Sequence, residues 1–251
     1  MNAAVFFLFS CLLSCLISSA WAQTGRELME DSIRRHAPPD YVYQEQTLIL
    51  SDKLGQNTVR TARYYERRDA SGRKTLLVIQ TPAELRGAAV YIARDAQGGR
   101  RQGPDAASPV FGSDFTIADF EGEQPGDYLY ELEDSQDLDR VSHHVLRASP
   151  KDEAVRLATG NGVRRIYMRR DNLFVSRIDY LDRQGNPVKR RTFRDPRPDE
   201  SGAWQPGMIL TEDLLETRRT LVKIERRVHS PDYVPDAVFE GTREGKRAGL
   251  R

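Results

Sequence analysis

The sequence has almost no cysteine. Its two, Cys11 and Cys15, both lie in the apolar stretch that opens the chain. Nothing beyond residue 22 can therefore form a disulfide, attack through a thiol, ligate zinc through sulfur or attach haem. Lysine is scarce too, at six against 32 arginines, and neither sign of charge dominates, with a net charge of +1. So many arginines invite a nucleic-acid reading, but the equal acid content argues against it and no nucleic-acid partner is expected. After residue 22 no apolar run approaches the ~20 residues that span a bilayer. His-Glu-x-x-His, Gly-x-Ser-x-Gly, Ser-x-x-Lys and phosphate-loop patterns are missing as well. His143 and His144 are neighbours on an expected strand and point to opposite faces, while His36 and His229 are isolated. No catalytic residue, metal or cofactor is assigned, and the chain is not read as an enzyme.

What is present divides at residue 22. All the charged side chains fall after it, and residues 5–20 are almost wholly apolar, the length of a secretory leader rather than of a membrane span. Ala20-Trp21-Ala22 has the small-x-small form of a cleavage site, so cleavage after Ala22 and export to the periplasm are expected, leaving 229 residues as a single domain, 23–251. Leu12-Leu13-Ser14-Cys15 has the outline of a lipoprotein anchor at Cys15, but apolar residues continue beyond it, which favours the soluble product.

Thr24-Gly25-Arg26-Glu27 has the form of a capping box, Leu28, Met29 and Ile33 supply an apolar stripe, and Pro38-Pro39 stops the helix. Period-two alternation follows. Strands are expected at 41–50, 58–67, 74–80 and 88–93, then at 128–133, 141–148, 165–170, 173–181, 188–194, 208–214 and 220–229, with a reversal over 182–186. Without a βαβ rhythm the class is mainly β, with one highly curved antiparallel sheet, because a sheet this wide curls or closes. Residues 95–110, with Gly98, Gly99, Gly103, Pro104 and Pro109, read as a long loop, and loops of that length are usually functional. It leads into a short helix expected to be capped by Ser113, with Phe115 and Ala118 on one side and Phe120 flanking. Val238 and Phe239 in the tail 235–245 read as a short packing cap, and 246–251 as a frayed end.

The order Asp52-Lys53-x-Gly55, Thr75-Leu76-Leu77, Pro82-Ala83-Glu84-Leu85-Arg86-Gly87, Phe111-Gly112-Ser113-Asp114-Phe115, Ser149-Pro150-Lys151-Asp152, Tyr180-Leu181-Asp182-Arg183-Gln184-Gly185 and Pro235-Asp236-Ala237-Val238-Phe239 resembles the LolA-like outer-membrane lipoprotein-sorting family. The resemblance runs from Arg26 to about Thr242, and Gly-Ser-Asp-Phe followed by x-x-x-Asp is its most specific piece. Related chains carry a Trp-x-Tyr-x-Pro strand just before that block, where this one has the glycine-rich 95–109. The resemblance implies an unclosed β-barrel whose helices form a lid over an apolar cavity. It also implies a carrier of lipid or lipoprotein acyl chains, with an inner-membrane lipid or lipoprotein exporter and an outer-membrane acceptor as partners.

On that reading Phe111, Phe115, Ile117 and Phe120 are candidates for an apolar plug, against the plainer reading of them as core of a small helix. Leu48, Leu50, Leu77, Ile79, Val90, Ile92, Ile178 and Tyr180 are candidates for the wall, and the pattern leaves open which strand face lines it. The arginine pairs, among them Arg164-Arg165, Arg190-Arg191 and Arg226-Arg227, read mostly as exposed strand faces. The competing class is a β-scaffold interaction module that docks onto a membrane transporter or envelope protein without lipid cargo. The chain is read as a monomer.

Overall fold

The computed structural model describes residues 23–97 and 99–240; the leader and the end from residue 241 lie outside them. The first helix, α1 (Gly25–Arg35), starts where the capping box places it. Thr24 Oγ1 accepts from the Glu27 amide at 3.2 Å and the Thr24 amide donates to Glu27 Oε2 at 2.7 Å. Leu28 and Met29 are buried, and Ser32 donates to the Leu173 carbonyl at 2.7 Å.

Twelve strands form one antiparallel sheet: β1 (Tyr41–Ser51), β2 (Asn57–Asp69), β3 (Gly72–Thr81), β4 (Ala89–Arg94), β5 (Arg100–Gln102), β6 (Tyr128–Leu138), β7 (Val141–Pro150), β8 (Arg164–Arg169), β9 (Val175–Leu181), β10 (Pro187–Pro198), β11 (Trp204–Asp213) and β12 (Arg218–Val228). Their order is β5-β4-β3-β2-β1-β12-β11-β10-β9-β8-β7-β6, so two meanders join where β1 pairs with β12. The sheet does not close, and β5 and β6 are its two free edges. Chain 103–127 runs from one edge to the other and carries α2 (Ile117–Glu121). This segment is called the strap below.

The strap shows how far the sheet curls. β3 and β10 are five strand spacings apart, ~24 Å if the sheet were flat. Side chains of a flat sheet stand perpendicular to it. Yet Arg73 of β3 donates to the carbonyls of Phe120 (3.0 Å) and Glu121 (2.8 Å), while Arg191 of β10 reaches Asp119 Oδ1 at 3.1 Å. Three consecutive residues touch both halves, so both halves face one interior.

Four local expectations are corrected. The short helix begins at Ile117, not after Ser113, because the Thr116 amide finds the Asp119 carboxylate at 2.8 Å. Ser113 instead accepts from the Phe115 amide at 3.2 Å in a turn that Phe111 (φ 50°) and Gly112 (φ 68°) make left-handed. The loop 95–110 contains the three-residue β5, paired to β4, and buries Ala106 and Val110. A further helix, α3 (Glu153–Thr159), is capped by Asp152 accepting from the Val155 amide at 2.8 Å and is ended by Gly160 at φ 67°. Finally, Arg164 and Arg191 are buried, because adjacent strand residues face opposite sides and one of each pair turns inward. The tail helix α4 (Ala237–Glu240) buries Phe239 against Tyr43, Leu76 and Val234, on the other face of the sheet from the strap.

Candidate binding cavity

The strap enters the interior nose first. Val110, Phe115 and Ile117 are fully or almost fully buried among Val42, Leu48, Leu77, Ile79, Val90, Ile92 and Val222, with Leu50, Phe111 and Phe120 partly buried beside them. The Phe115 and Phe120 rings lie 5.8 Å apart in a tilted pair. On β3, Leu77 and Ile79 face the strap, while Leu76 and Val78 face the tail helix, which fixes the inner face of that strand. Ten of the twelve residues singled out from the sequence thus share one cluster. The other two, Ile178 and Tyr180, pack under α1 with Leu146, Ile166 and Met168.

Polar contacts hold the strap on both flanks. Asp119, with its side chain 1 % exposed, takes Lys189 Nζ at 2.6 Å, Arg191 Nη1 at 3.1 Å and the Tyr180 hydroxyl at 2.8 Å. Burial pushes its carboxyl up, but Arg191 and Lys189 outweigh that and hold it below the usual carboxylate range. Burial, with Asp119 alongside, raises the Tyr180 hydroxyl, and burial lowers the Lys189 ammonium. Glu121 pairs with Arg94 at 2.7 Å, and Glu123 takes Arg164 through two 2.8 Å bonds. Arg73, which reaches the strap carbonyls, also pairs with Glu66 at 2.7 Å. At the strap's leading turn, Thr220 Oγ1 donates to Asp114 Oδ2 at 2.8 Å and Arg60 donates to the Phe111 carbonyl.

Beside the strap a cavity of about 170 Å³ remains between β1, β2, β11 and β12. Phe115 and Phe120 line it, joined by Val42, Tyr64, Ile209, Val222 and Ile224. Its polar wall includes the carboxylates of Glu66 and Asp119, the guanidinium groups of Arg191 and Arg227, and Gln44, Gln46, Gln205 and His229. An outer basin of about 620 Å³ between the end of α1 and strap residues 121–125 shares Pro38 and Glu66 with it. The inner volume is below the ~300–1,000 Å³ of pockets that bury a whole small ligand. Sequence reasoning missed Val42, Ile209, Val222 and Ile224, although the alternation of β1 and of the first half of β12 carried the signal.

A second hollow, of about 710 Å³ along β7–β10, holds a serine–histidine contact, His143 Nε2 to Ser176 Oγ at 2.7 Å, with His143 Nδ1 at 2.7 Å from the Val141 carbonyl. Both residues sit within paired strands, whose amides serve the ladder rather than a developing oxyanion. The contact satisfies a buried imidazole. Among the described residues, no cluster of three or more His, Cys, Asp or Glu side chains is arranged to hold a metal.

A family model described as "Uncharacterized protein" matches residues 67–243. No curated protein matches the chain. Solved structures do. A Vibrio parahaemolyticus domain described as an outer membrane lipoprotein-sorting protein is similar at TM-score 0.76 and 14% identity, covering 87% of this chain and 97% of that one. A Desulfovibrio piger protein of a family of unknown function gives 0.72 and 17%, over 87% and 100%. A LolA-superfamily protein from Nitrosomonas europaea gives 0.64 and 16%, over 87% and 98%. The chain shares the fold of these structures, an unclosed antiparallel sheet with an N-terminal helix.

Proposed function

The chain belongs to the family whose model spans residues 67–243, and on the fold it shares with lipoprotein-sorting domains we propose that it is a periplasmic, non-enzymatic carrier of lipid or lipoprotein acyl chains. One observation carries this reading: an apolar strap plugs the mouth of an open barrel and is tied to both halves by side-chain contacts rather than by strand pairing. Phe111, Phe115, Ile117 and Phe120 refill the interior when it is empty. Leu48, Leu50, Leu77, Ile79, Val90 and Ile92 then become wall when the strap swings out, with Ile178 and Tyr180 deeper under α1.

The energetics suit transfer. Each buried methylene contributes ~0.8 kcal/mol, so a sixteen-carbon chain gains on the order of 10 kcal/mol before ordering costs. A plug that must first be displaced offsets much of that gain, which leaves the cargo able to depart. The leader, cleaved after Ala22, delivers a soluble monomer to the periplasm, where an inner-membrane exporter loads it and an outer-membrane acceptor unloads it. The small inner volume is the one observation that favours a second reading, a filled β-scaffold docking onto a membrane transporter or envelope protein.

Native mass spectrometry of the protein purified from its own periplasm, with organic extraction, separates the two. A stoichiometric lipid or acylated peptide is expected. A clean unliganded mass, with no displacement of a fluorescent acyl probe, would turn the reading to the docking module.

A further inference from the structure

The two ends of the inner cavity differ in charge balance. At the strap end its wall is Phe115, Phe120, Ile209 and Val222, with Asp119 and Arg191 beside them as a closed ion pair. Further along the β1–β12 ladder come Gln46 opposite Ile224, then Gln44 opposite Arg227, with exposed His229 at the rim. From Leu48, which pairs with Val222, to Gln44, which pairs with Arg227, is four residues, ~13 Å of strand.

Arg227 is there because of a bulge. The ladder slips between Glu45 and Gln46, leaving Glu225 unpaired. A bulge resets the alternation of the strand that carries it. Val222 and Ile224 are therefore followed on the inner wall by Arg227 rather than Arg226. Arg226 faces the other side, donating to the Tyr233 hydroxyl at 2.8 Å and lying 3.6 Å from Glu45.

Five of the cations that hold the strap have a carboxylate: Arg73 has Glu66, Arg94 has Glu121, Arg164 has Glu123, and Lys189 and Arg191 share Asp119, while Arg60, on the Phe111 carbonyl, does not line this cavity. Arg227 has none among the described residues. Its Nη2 donates to the Pro206 carbonyl at 2.8 Å, and its Nε is buried without a partner, as are those of the paired Arg73, Arg164 and Arg191. The carboxylate with most influence on it, Asp199, already serves Ser201 and the Ala203 amide. Burial lowers the Arg227 guanidinium pKa, whereas the paired Arg73, Arg164 and Arg191 are raised. An unneutralised guanidinium at the polar end of an apolar slot is a counter-charge waiting for an anion.

We propose that the cavity selects single-chain amphiphiles with an anionic head, which sits on Arg227 and Gln44 while the tail runs toward Val222 and Phe115. This rests on the carrier reading and names its cargo chemistry. The test is titration calorimetry of the exported protein at pH 8 with decanoate, decyl phosphate and decanol, which share one tail. Decanoate or decyl phosphate is expected to bind at least tenfold more tightly than decanol, and whichever binds more tightly identifies the head as carboxylate or phosphate. Arg227→Gln should erase the preference, while Arg226→Gln, on the opposite face, should keep it.

Equal affinity for all three in the unaltered protein, a comparison that needs no variant, would overturn the proposal and leave the carrier reading intact. So would a bound triacylated lipopeptide with none of the three retained. Failure of the lipopeptide and all three amphiphiles would overturn both.

Discussion

The two halves of the sheet are covered by different chemistry. Over β6–β9 lies α1, held by the buried Leu28 and Met29, by Ser32 on the Leu173 carbonyl, and by its C-cap His36. Its own ion pairs, Arg26–Glu30 and Arg34–Asp31, stay within the helix. Over β1–β4 and β12 lies the strap, held by a few aromatic and aliphatic side chains, by carbonyls that accept from Arg73 of β3, and by carboxylates that meet cations from β4, β8 and β10.

An apolar seal is lost in full when it opens. A buried ion pair is close to break-even, because its partners regain hydration when they part. On the proposed carrier reading the helix is the fixed cover and the strap, whose apolar contacts are supplemented by ion pairs, the one that opens.

The largest effect tests the latch. Asp119→Ala leaves Lys189 and Arg191 buried without their carboxylate and should cost about 3–5 kcal/mol in urea unfolding. Replacing all three together, as Asp119→Leu, Lys189→Met and Arg191→Met, should restore or exceed the original stability. It should also slow uptake of a fluorescent acyl probe in stopped flow, because the strap would then be sealed as α1 is. Uptake at the original rate would erase the distinction between the two covers.

Next in size, Leu28→Ala under α1 should cost about 2–5 kcal/mol without changing probe affinity. A parallel loss of affinity would make α1 part of the gate.

Acid gives a smaller effect with a definite sign. His36 receives the Trp204 amide on Nδ1 at 3.0 Å and holds the Asn172 carbonyl at 2.9 Å through Nε2, so its neutral form is the one that fits. Burial lowers its pKa. The unfolded chain then protonates first, and this contribution is present above the ordinary value of 6.5 and lost as the pH falls below it. His144, also lowered by burial, acts in the same direction. Asp119, held low, keeps its contribution above the usual carboxylate pKa of 3.8 and loses it only in stronger acid. Between pH 6.5 and 5, amide exchange should rise at the end of α1 before it rises in the strap, and His36→Asn should flatten that rise.

The sequence displayed whatever was local. The Thr24–Glu27 box and the leucine–methionine stripe fixed α1, and strand alternation gave eleven of the twelve strands close to their observed bounds. Phe115 and Ile117 were legible as buried residues of the strap because apolar residues beside a glycine-rich stretch need a reason to be there.

What escaped was either short or non-local. Strand β5 has three residues, and α3 buries only Val155, too little for a periodic signal. Asp119 meets partners 70 and 72 residues away, a pairing no spacing announces. The cavity face of β12 beyond Ile224 was unreadable for a different reason. Regular alternation from Val222 and Ile224 points to Arg226, and only the bulge at Glu225 turns Arg227 inward instead.

The carrier reading stands on the strap opening, and the absence of cysteine from residues 23–251 allows a clean lock in that part of the chain. Asp114 on the strap and Thr220 on β12 already touch, with the Asp114 amide 3.1 Å from Thr220 Oγ1. The measurement is acyl-probe binding to the Asp114→Cys, Thr220→Cys double variant, oxidised and then reduced. The account predicts at least a tenfold loss of affinity in the oxidised form and its recovery on reduction. Equal binding in the two forms would contradict it.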